Sequence, residues 1–230
     1  MKVSVIIPAF NEELSIGKVI ADIPKDLVQE IIVVDNGCAD RTAEVAQTAG
    51  ARVVQEGRKG YGYACLAGIA ALNAPDIVVF LDGDYSDYPS EMPLLVQPIL
   101  AGEAEMVIGS RIRGVRERGA LLPQARLCNA LATFLIKLLF RVSYTDLGPF
   151  RAIRYDRLLE MDMQDKTFGW TVEMQVKAAK MGVRVCEVPV SYRKRIGQSK
   201  ITGTVKGTIK AGYKILMTIF RYGLIESLLK

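Results

Sequence analysis

The sequence predicts an α/β domain built on a mostly parallel sheet. Over the first 110 residues, short runs of apolar and largely β-branched residues alternate with segments of helical periodicity. Strands that alternate with helices at this spacing are typical of βαβ units, whose right-handed crossovers make the paired strands parallel. Each run also ends near a proline, a glycine or an aspartate, and the carboxyl ends of parallel strands share one edge of the sheet. We therefore expect these polar residues to converge on one crevice.

The elements of the first half follow in order from apolar periodicity and from turn residues. The predicted strands cover residues 3–8, 30–35, 52–55, 77–82 and 105–110. The predicted helices cover residues 11–23, 41–49, 63–72 and 89–100. Asn11 and Asp40 stand where helix N-caps are expected, and Gly50 stands where a helix ends. The first half is therefore predicted to be a Rossmann-like sheet flanked by helices.

The second half of the chain is less regular. Residues 124–140 are predicted to form a helix that is apolar over most of its circumference, and residues 171–181 form another, which ends at Gly182. A strand over residues 183–192 contains Pro189, which predicts that it lies at an edge of the sheet. The predicted loops are residues 111–118, 145–151 and 193–200.

The C-terminal residues, from about 204, are predicted to form a long amphipathic helix or a pair of helices. One stripe of this segment is basic and consists of Lys206, Lys210, Lys214 and Arg221. A basic amphipathic helix is typical of an interfacial membrane anchor. The same pattern also fits a helix that packs on the domain and leaves its lysines in water. No stretch has the ~18–20 uninterrupted apolar residues of a spanning helix.

The two halves of the chain carry opposite net charge. Residues 1–110 contain 7 Lys/Arg against 16 Asp/Glu, a net charge of −9, whereas residues 111–230 contain 23 against 9, a net charge of +14. The acidic half suits a metal ion, and the basic half suggests phosphates, acidic lipid headgroups or nucleic acid. We therefore divide the chain into one domain over residues 1–203, whose halves meet near residue 110, and a basic helix over residues 204–230.

Histidine is absent from the sequence, which removes the usual general base and the usual zinc ligand. The four cysteines are widely spaced, and no CxxC pair occurs among Cys38, Cys65, Cys128 and Cys186. Zinc binding is therefore not expected, and a reducing, cytoplasmic setting is. No signal-peptide pattern is expected at the start, because Lys2 is followed at once by a strand-like run and then by charges.

The apolar run from Ile77 leads directly into Asp82-Gly83-Asp84. A buried parallel strand would bring both carboxylates to the ligand-binding edge of the sheet. Two carboxylates one residue apart repel each other unless a cation joins them, and oxygen ligands suit Mg²⁺ or Mn²⁺. Asp35, at another strand end, can accept hydrogen bonds from a base or ribose, and Lys59 in a glycine-rich loop can reach a base or a phosphate. An ordinary acidic turn is the alternative interpretation of the tripeptide alone.

Four segments at residues 5–13, 32–42, 59–60 and 81–84 together resemble the serial motifs of inverting family 2 glycosyltransferases with the GT-A fold. Further segments at residues 146–151, 187–190 and 195–200 are similar to the polyprenyl-phosphate branch of that family, as in dolichyl-phosphate mannose synthases. The resemblance covers most of the chain. It implies a nucleotide-sugar half over residues 1–110 and an acceptor half over residues 111–203.

The resemblance also implies roles for particular residues. The nucleotide would be bound by Pro8, Ala9, Glu12, Asp35, Lys59 and Asp82. Asp82 and Asp84 would form a DxD motif, with Asp84 as the direct ligand of Mn²⁺ or Mg²⁺. Donor or acceptor phosphates would be bound by Arg111, Arg126, Arg151, Arg195, Ser199 and Lys200. The residues on which catalysis would depend are Asp82, Asp84, Arg111 and Arg195.

The expected reaction is then a metal-dependent transfer of a hexose from a nucleotide sugar to a polyprenyl or dolichyl phosphate, with inversion, at the cytoplasmic face of a membrane. GDP-mannose is the favoured donor. The alternatives are a UDP-glucose-dependent polyprenyl-phosphate glucosyltransferase and an enzyme of the same fold with a saccharide or soluble acceptor. A lipid phosphate is already an anion near neutral pH, so it needs positioning rather than a strong base.

If a base is nevertheless needed, Glu173 and Asp146 are the candidates. A non-enzymatic module that binds nucleic acid is a further alternative, because the second half is basic. That interpretation is opposed by the acidic first half and by the Asp82/Asp84 pair, which such a module does not need. We therefore expect no nucleic-acid partner.

Overall fold

The computed structural model describes residues 1–197 and 205–225. The strands are β1 (Val3–Ala9), β2 (Glu30–Asp35), β3 (Arg52–Gln55), β4 (Ile77–Phe80), β5 (Met106–Ser110), β6 (Arg151–Arg154) and β7 (Val185–Pro189). The helices are α1 (Ile16–Ala21), α2 (Thr42–Thr48), α3 (Tyr61–Ala70), α4 (Met92–Leu100), α5 (Pro123–Phe140), α6 (Tyr155–Glu160), α7 (Trp170–Lys180) and α8 (Val205–Phe220). A π-helical turn, Arg221–Ile225, follows α8.

Within the described residues the strands form one sheet in the order β3-β2-β1-β4-β6-β5-β7. All pairs are parallel except the two that involve β6, which runs antiparallel to both β4 and β5. The predicted fold class, a mostly parallel sheet flanked by helices, is therefore confirmed. The strand that contains Pro189 lies at the sheet edge, as expected for a residue without a backbone N–H.

Helices cover both faces of the sheet. Buried side chains of α1, α2 and α4 pack with one set of strand residues. Buried side chains of α3, α5, α7 and α8 pack with the other set. Because successive side chains of a strand point to opposite faces, the same apolar strands serve both clusters, and neighbouring residues such as Ile6 and Ile7 belong to different ones.

Of the two predicted N-caps in the first half, Asn11 and Asp40, one differs from the prediction. The first helix begins at Ile16 rather than at Asn11. Asn11 has a left-handed backbone (φ 54°), and its side-chain Oδ1 accepts a hydrogen bond from the Ala39 N–H at 2.8 Å. Asp40 does bind the start of α2, since its Oδ1 accepts the Thr42 N–H at 3.0 Å. Asn11 therefore ties two loops together instead of capping a helix.

The strand β6 and the short helix α6 were not predicted, because residues 145–151 were expected to be a loop and nothing was assigned to the residues after it. The sequence of β6 is Arg-Ala-Ile-Arg, which is short and has no clear apolar alternation. Its stability comes from two long-range neighbours, β4 and β5, between which it is inserted. Arg151 is almost wholly buried, which apolar patterning does not anticipate.

The C-terminal helix α8 packs on the domain through one face and exposes the other. Thr218 and Ile219 are buried against the core that α5 and α7 also form, whereas Ile209 and Tyr213 are exposed. The two interpretations of this segment, packing and membrane contact, are thus compatible with each other. None of the helices in the described part of the chain is long and apolar enough to cross a bilayer. The division at residue 203 stays a prediction.

Candidate functional site

A cavity of about 330 Å³, here called the strand-end cavity, opens at the carboxyl ends of β1, β2 and β4. Its walls come from these strand ends, from the start of α3 and from two later segments of the chain. The lining residues include Pro8, Ala9, Phe10, Glu12, Asn36, Lys59, Gly60, Tyr61, Asp82, Asp84, Thr167, Phe168 and Arg195. Predicted nucleotide-binding residues are thus brought together at one edge of the sheet.

Asp35 is the predicted nucleotide-binding residue that does not line this cavity. It is buried at the end of β2, and its Oδ1 accepts the Cys38 N–H at 2.7 Å. Its neighbour Asn36 lines the cavity, but its side chain is hydrogen-bonded to the backbone of the glycine-rich loop and of the residue before it. The Asn36 Nδ2 donates to the carbonyls of Glu56 and Arg58, and its Oδ1 accepts the Gly60 N–H at 2.8 Å. Asn36 therefore shapes the loop that carries Lys59.

Asp82 and Asp84 follow β4, and both carboxylates line the strand-end cavity. The Tyr61 hydroxyl donates to Asp82 Oδ1 at 3.0 Å, and Asp84 Oδ1 accepts the Ser86 N–H at 2.9 Å. Burial, together with the nearby charge of Asp84, raises the pKa of Asp82 to about 7. Asp87 is buried, and burial together with the charge of Asp82 raises its pKa well above the usual range.

The donor set fits a divalent cation. Among the described residues, neither carboxylate oxygen of buried Asp87 has a hydrogen-bond partner, and burial and the charges of Asp82 and Asp84 together raise its pKa, so a cation beside these carboxylates would relieve their mutual repulsion. No group of three Asp, Glu, His or Cys residues within residues 1–197 and 205–225 has the arrangement to hold a metal by itself. A cation held by Asp82 and Asp84 would therefore complete its shell with ligand and water oxygens, as Mg²⁺ commonly does.

These pKa shifts predict that the metal-free protein becomes more stable as the pH falls from 8 to 6. The folded-state pKa values of Asp82 and Asp87 lie above the ordinary carboxyl range, so the native state binds protons that the unfolded chain releases. For Asp82, the stability that its protonation contributes is lost as the pH rises through about 7. We expect the Tm to rise by at least about 3 °C over this interval, measured by thermal unfolding with a chelator present.

Two variants test the origin of this pH dependence. Asp82→Asn is the test variant, and Asp26→Asn is its control. Asp82→Asn removes a shifted group, so the dependence should shrink, whereas exposed Asp26 has no described ion-pair partner and its replacement should change nothing. Affinity for Mn²⁺ should move in the opposite direction and weaken as the pH falls, because a protonated carboxyl is a poor ligand. A Tm that is flat or falls between pH 8 and 6 would contradict the assignment.

Arg195 pairs with two acidic residues that line the strand-end cavity. Its guanidinium contacts Glu12 Oε1 at 2.9 Å and Asp84 Oδ2 at 3.1 Å. The backbone around it is held to the loop after the DxD tripeptide, since the Ile196 N–H donates to the Asp84 carbonyl at 2.9 Å. Arg195 thus supplies positive charge beside the carboxylates, and its role in phosphate binding stays a prediction.

The segment that carries Arg195 is anchored by its neighbour Arg193. The Arg193 guanidinium lies 3.3 Å from the ring centre of Tyr85 and 4.1 Å from that of Tyr88. It also donates to the carbonyls of Tyr85 and Asp87. These stacking contacts and hydrogen bonds hold the Arg193 side chain in one position. They therefore restrict the backbone position of Arg195, two residues later.

Arg111 is held by Asp146 in a buried, bidentate ion pair. Arg111 Nε and Nη2 donate to the two carboxylate oxygens of Asp146 at 2.8 and 2.7 Å, and the Arg111 N–H donates at 2.8 Å. Asp146 is fully buried. Burial lowers the pKa of Arg111, but the charge and hydrogen bonds of Asp146, together with the nearby charge of Asp87, raise it well above its usual value, so that the guanidinium stays charged. With both oxygens occupied, Asp146 is a positioning group for Arg111 rather than the base considered above.

A second cavity of about 260 Å³, here called the inter-helix cavity, meets the first at its carboxylates. Five residues line both cavities: Tyr61, Asp82, Asp84, Phe168 and Arg195. From Arg111 the second cavity continues between α5 and α8. Its walls there are mostly small or apolar, and they include Leu121, Ala125, Cys128, Leu147, Pro149, Ala211, Gly212 and Ile215.

Other predicted residues are not brought to this junction. Arg126 is exposed on α5 and lines a separate groove. Arg151 is buried, and its guanidinium donates to the carbonyls of Leu147, Gly148 and Thr171. Arg151 therefore supports the loop before β6, and its proposed contact with phosphate does not fit this arrangement. Ser199 and Lys200 lie outside the described residues.

Three residues at the site were missed from the sequence. The Tyr61 hydroxyl donates a hydrogen bond to Asp82, Asp87 adds a carboxylate without a hydrogen-bond partner among the described residues, and Phe168 lines both cavities. Asp87 follows Asp84 closely in the sequence and could have been found by counting acidic residues after β4. No local signal points to Phe168, because it reaches the site from a segment far along the chain.

Comparisons with known sequences identify similar proteins over nearly the whole chain. The family model described as glycosyl transferase family 2 matches residues 4–159. An uncharacterised glycosyltransferase of Mycobacterium tuberculosis is 37% identical over 212 residues, which cover 91% of this chain and 94% of the relative. The dolichyl-phosphate hexose transferase of Haloferax volcanii is 34% identical, with 86% of each chain covered. The undecaprenyl-phosphate mannosyltransferase of Micrococcus luteus is 29% identical, with 97% and 95% covered.

Solved structures with the same architecture include glucosyl-3-phosphoglycerate synthase from Mycobacterium tuberculosis. Its complex with phosphoglyceric acid has a TM-score of 0.78 and 26% sequence identity, over 96% of this chain and 80% of that chain. Its complex with Mn²⁺, uridine diphosphate and glucosyl-3-phosphoglycerate has a TM-score of 0.76, also at 26% identity over 96% and 80% of the two chains.

Proposed function

The chain belongs to glycosyl transferase family 2, and from that premise we propose that it transfers a hexose from a nucleotide sugar to a polyprenyl phosphate at a membrane surface, with inversion at the anomeric carbon. The observation that supports this acceptor is the inter-helix cavity, which runs from Asp82, Asp84 and Arg111 to a mostly apolar passage between α5 and α8. A phosphate fits its charged end, and an isoprenoid chain fits its apolar walls.

The outer faces of α5 and α8 support a membrane partner. On α5 an exposed apolar stripe consists of Leu127, Leu131, Phe134 and Leu138. On α8 a similar stripe consists of Ile209, Tyr213, Met217 and Phe220. The residue spacings match one face of a helix, and the two helices pack side by side. Exposed basic residues around the stripes, such as Lys137 and Lys210, would favour an anionic lipid surface.

The mechanism needs positioning and charge compensation. The nucleotide would lie against β1 and the glycine-rich loop, with its sugar near Tyr61 and Phe168, where the two cavities meet. An oxygen of the lipid phosphate, held by Arg111, would attack the anomeric carbon as the nucleoside diphosphate leaves. Arg195 would offset charge on the phosphates, and its present contacts to Glu12 and Asp84 show its reach.

Mn²⁺ or Mg²⁺ held by Asp82 and Asp84 would supply charge compensation at the departing diphosphate. Solved structures of the similar glucosyl-3-phosphoglycerate synthase contain Mn²⁺ with uridine diphosphate, which supports this cofactor. No proton acceptor is required, because the lipid phosphate is already ionised. This agrees with the absence of histidine and with the use of Asp146 by Arg111.

The donor sugar is the finer part of the proposal. Mannose, with GDP-mannose as donor, is supported by the undecaprenyl-phosphate mannosyltransferase relative. Glucose from UDP-glucose is the alternative, supported by solved structures that contain this donor. A second candidate function is transfer to a small phosphorylated acceptor, since a structurally similar enzyme makes glucosyl-3-phosphoglycerate. The apolar passage beyond Arg111 favours the lipid, because a small polar acceptor does not need it.

The acceptor is tested by incubating the protein with Mn²⁺, with radiolabelled GDP-mannose or UDP-glucose, and with either undecaprenyl phosphate in vesicles or 3-phosphoglycerate. We expect label in the lipid extract with one donor.

In the variant Ala125→Phe, the new ring would narrow the inter-helix cavity and raise the KM for the lipid by about tenfold or more, with unchanged donor affinity. The matched control Ala130→Phe, exposed on the same helix, should behave as wild type. Label found only in glucosylated or mannosylated phosphoglycerate would contradict the proposal.

A further inference from the structure

The segment of residues 163–169, here called the cavity segment, forms one wall of the strand-end cavity through Thr167 and Phe168. It is packed tightly on the start of α3. The Tyr63 N–H donates to the Lys166 carbonyl at 3.1 Å, and a Cβ atom on Gly62 would lie 2.0 Å from the Asp165 carbonyl oxygen. Any displacement of this segment would therefore change the shape of the strand-end cavity.

The buried carboxylate of Glu173 holds the cavity segment from the other side. Glu173, in the first turn of α7, accepts the Gln164 N–H at 3.0 Å and the Asp165 N–H at 2.7 Å. The same carboxylate accepts the Tyr222 hydroxyl at 2.6 Å and pairs with Lys177 at 3.0 Å. Tyr222 belongs to the π-helical turn that follows α8. One side chain thus links the cavity segment to the end of the C-terminal helix.

A second link joins the middle of α8 to the same segment. Asp165 Oδ2 pairs with Lys214 Nζ at 2.9 Å, while Asp165 Oδ1 accepts the N–H groups of Thr167 and Gly169 at 2.7 and 3.1 Å. The contact is close, since a Cβ atom on Gly169 would lie 2.7 Å from Thr218 Oγ1. One oxygen of Asp165 therefore holds the backbone of the cavity segment, and the other oxygen pairs this segment with α8.

We propose that Glu173 and Asp165 are positioning residues that couple donor binding to the docking of α8 on the membrane. The proposal rests on the proposed function for its membrane partner. The inner face of α8 holds the cavity segment through Lys214 and Tyr222, while its outer face exposes Ile209 and Tyr213. A lipid surface that holds α8 in place would also order the cavity segment and so raise the affinity for the donor. By linkage, bound donor would raise the affinity for the lipid surface by the same factor.

The test compares three single variants. Lys214→Met and Tyr222→Phe each remove one link to the cavity segment. Lys210→Met is the matched control, because Lys210 is exposed one turn earlier on α8 and has no ion-pair partner among the described residues. Affinities for GDP-mannose and UDP-glucose with Mn²⁺ are measured by calorimetry, in buffer and with vesicles of phosphatidylcholine and phosphatidylglycerol. Trp170, the only tryptophan in the sequence, adjoins the cavity segment and reports its position by fluorescence.

In the wild type and in Lys210→Met, vesicles should raise donor affinity about fivefold or more, and donor should raise vesicle affinity by the same factor. In buffer, Lys214→Met and Tyr222→Phe should bind the donor about fivefold more weakly than the control and shift the Trp170 emission. Wild-type donor affinity in both variants would overturn the proposal, as would vesicle binding with no effect on donor affinity. If the wild type binds no vesicles, the membrane part of the proposed function fails, and the comparison in buffer still decides whether these residues position the donor site.

Discussion

Replacement of Asp84 by alanine is expected to abolish metal-dependent nucleotide binding and to lower kcat/KM on the order of 10³-fold. Asp84 and Asp82 are the carboxylates at the junction of the two cavities. Without Asp84 a divalent cation keeps one protein carboxylate, and Arg195 loses its 3.1 Å partner. The effect should be large because the cation and Arg195 act on the same developing charge of the diphosphate.

Calorimetric titration of UDP-glucose and GDP-mannose with and without Mn²⁺ measures this effect directly. Asp26→Ala is the matched control, since it removes an exposed carboxylate that has no described contact with the site. Thermal unfolding of both variants shows whether the fold is retained. If Asp84→Ala binds the nucleotide as before, and still only with Mn²⁺, the role of Asp84 as a metal ligand is wrong.

The second large effect is expected for Asp146→Asn. This change leaves the buried guanidinium of Arg111 without its counter-ion, and breaking a buried pair by removing one partner costs about 3–5 kcal/mol. The amide group would also place N–H donors against the Arg111 donors. We expect the free energy of unfolding to fall by about that amount. We also expect the KM for the phosphate acceptor to rise at temperatures where the variant is folded. Without the Asp146 carboxylate, the Arg111 guanidinium is no longer held in the orientation proposed to bind the acceptor phosphate.

A matched control for this variant is Asp156→Asn. Arg154 donates to both oxygens of Asp156 at 3.0 and 2.6 Å, so the pair has the same bidentate geometry as Arg111 and Asp146, but it is exposed. Exposed pairs contribute about 0–1 kcal/mol, and this one lies away from both cavities. Urea unfolding and steady-state kinetics of the two variants should therefore differ clearly. Equal losses of stability would contradict the importance of burial at Asp146.

The arrangement of the two cavities bears on acceptor choice within the family. The solved relatives include an enzyme that makes glucosyl-3-phosphoglycerate, and its fold matches this chain with a TM-score of 0.76. Both acceptors present a phosphate or carboxylate to basic residues, so the charged end alone does not distinguish them. The passage between α5 and α8, with Ala125 and Gly212 on its walls, is the feature that a lipid would use. This is why Ala125→Phe separates the two acceptors.

The glycosyltransferase fold expected from the sequence motifs is confirmed by the family match and by the solved structures. The sequence located the parallel strands, because a strand buried on both faces reads as a continuous apolar run. It also located Asp82 and Asp84, since the carboxyl ends of such strands share one edge. These features depend on periodicity and on residues that are neighbours in the chain, so no tertiary information was needed.

Only the tertiary structure decided which polar residues become partners. Asp146 and Arg111 are 35 residues apart, and Arg195 and Glu12 are 183 apart, so no local pattern pairs them. Arg151 read as a phosphate ligand, yet insertion of β6 between β4 and β5 buried it among carbonyl groups. The sequence by itself determined the parallel strands, the position of the Asp82/Asp84 pair at their shared edge, and the family, but not the antiparallel strand β6. The tertiary structure decided which charges are buried and paired, because burial depends on segments that are distant in the chain.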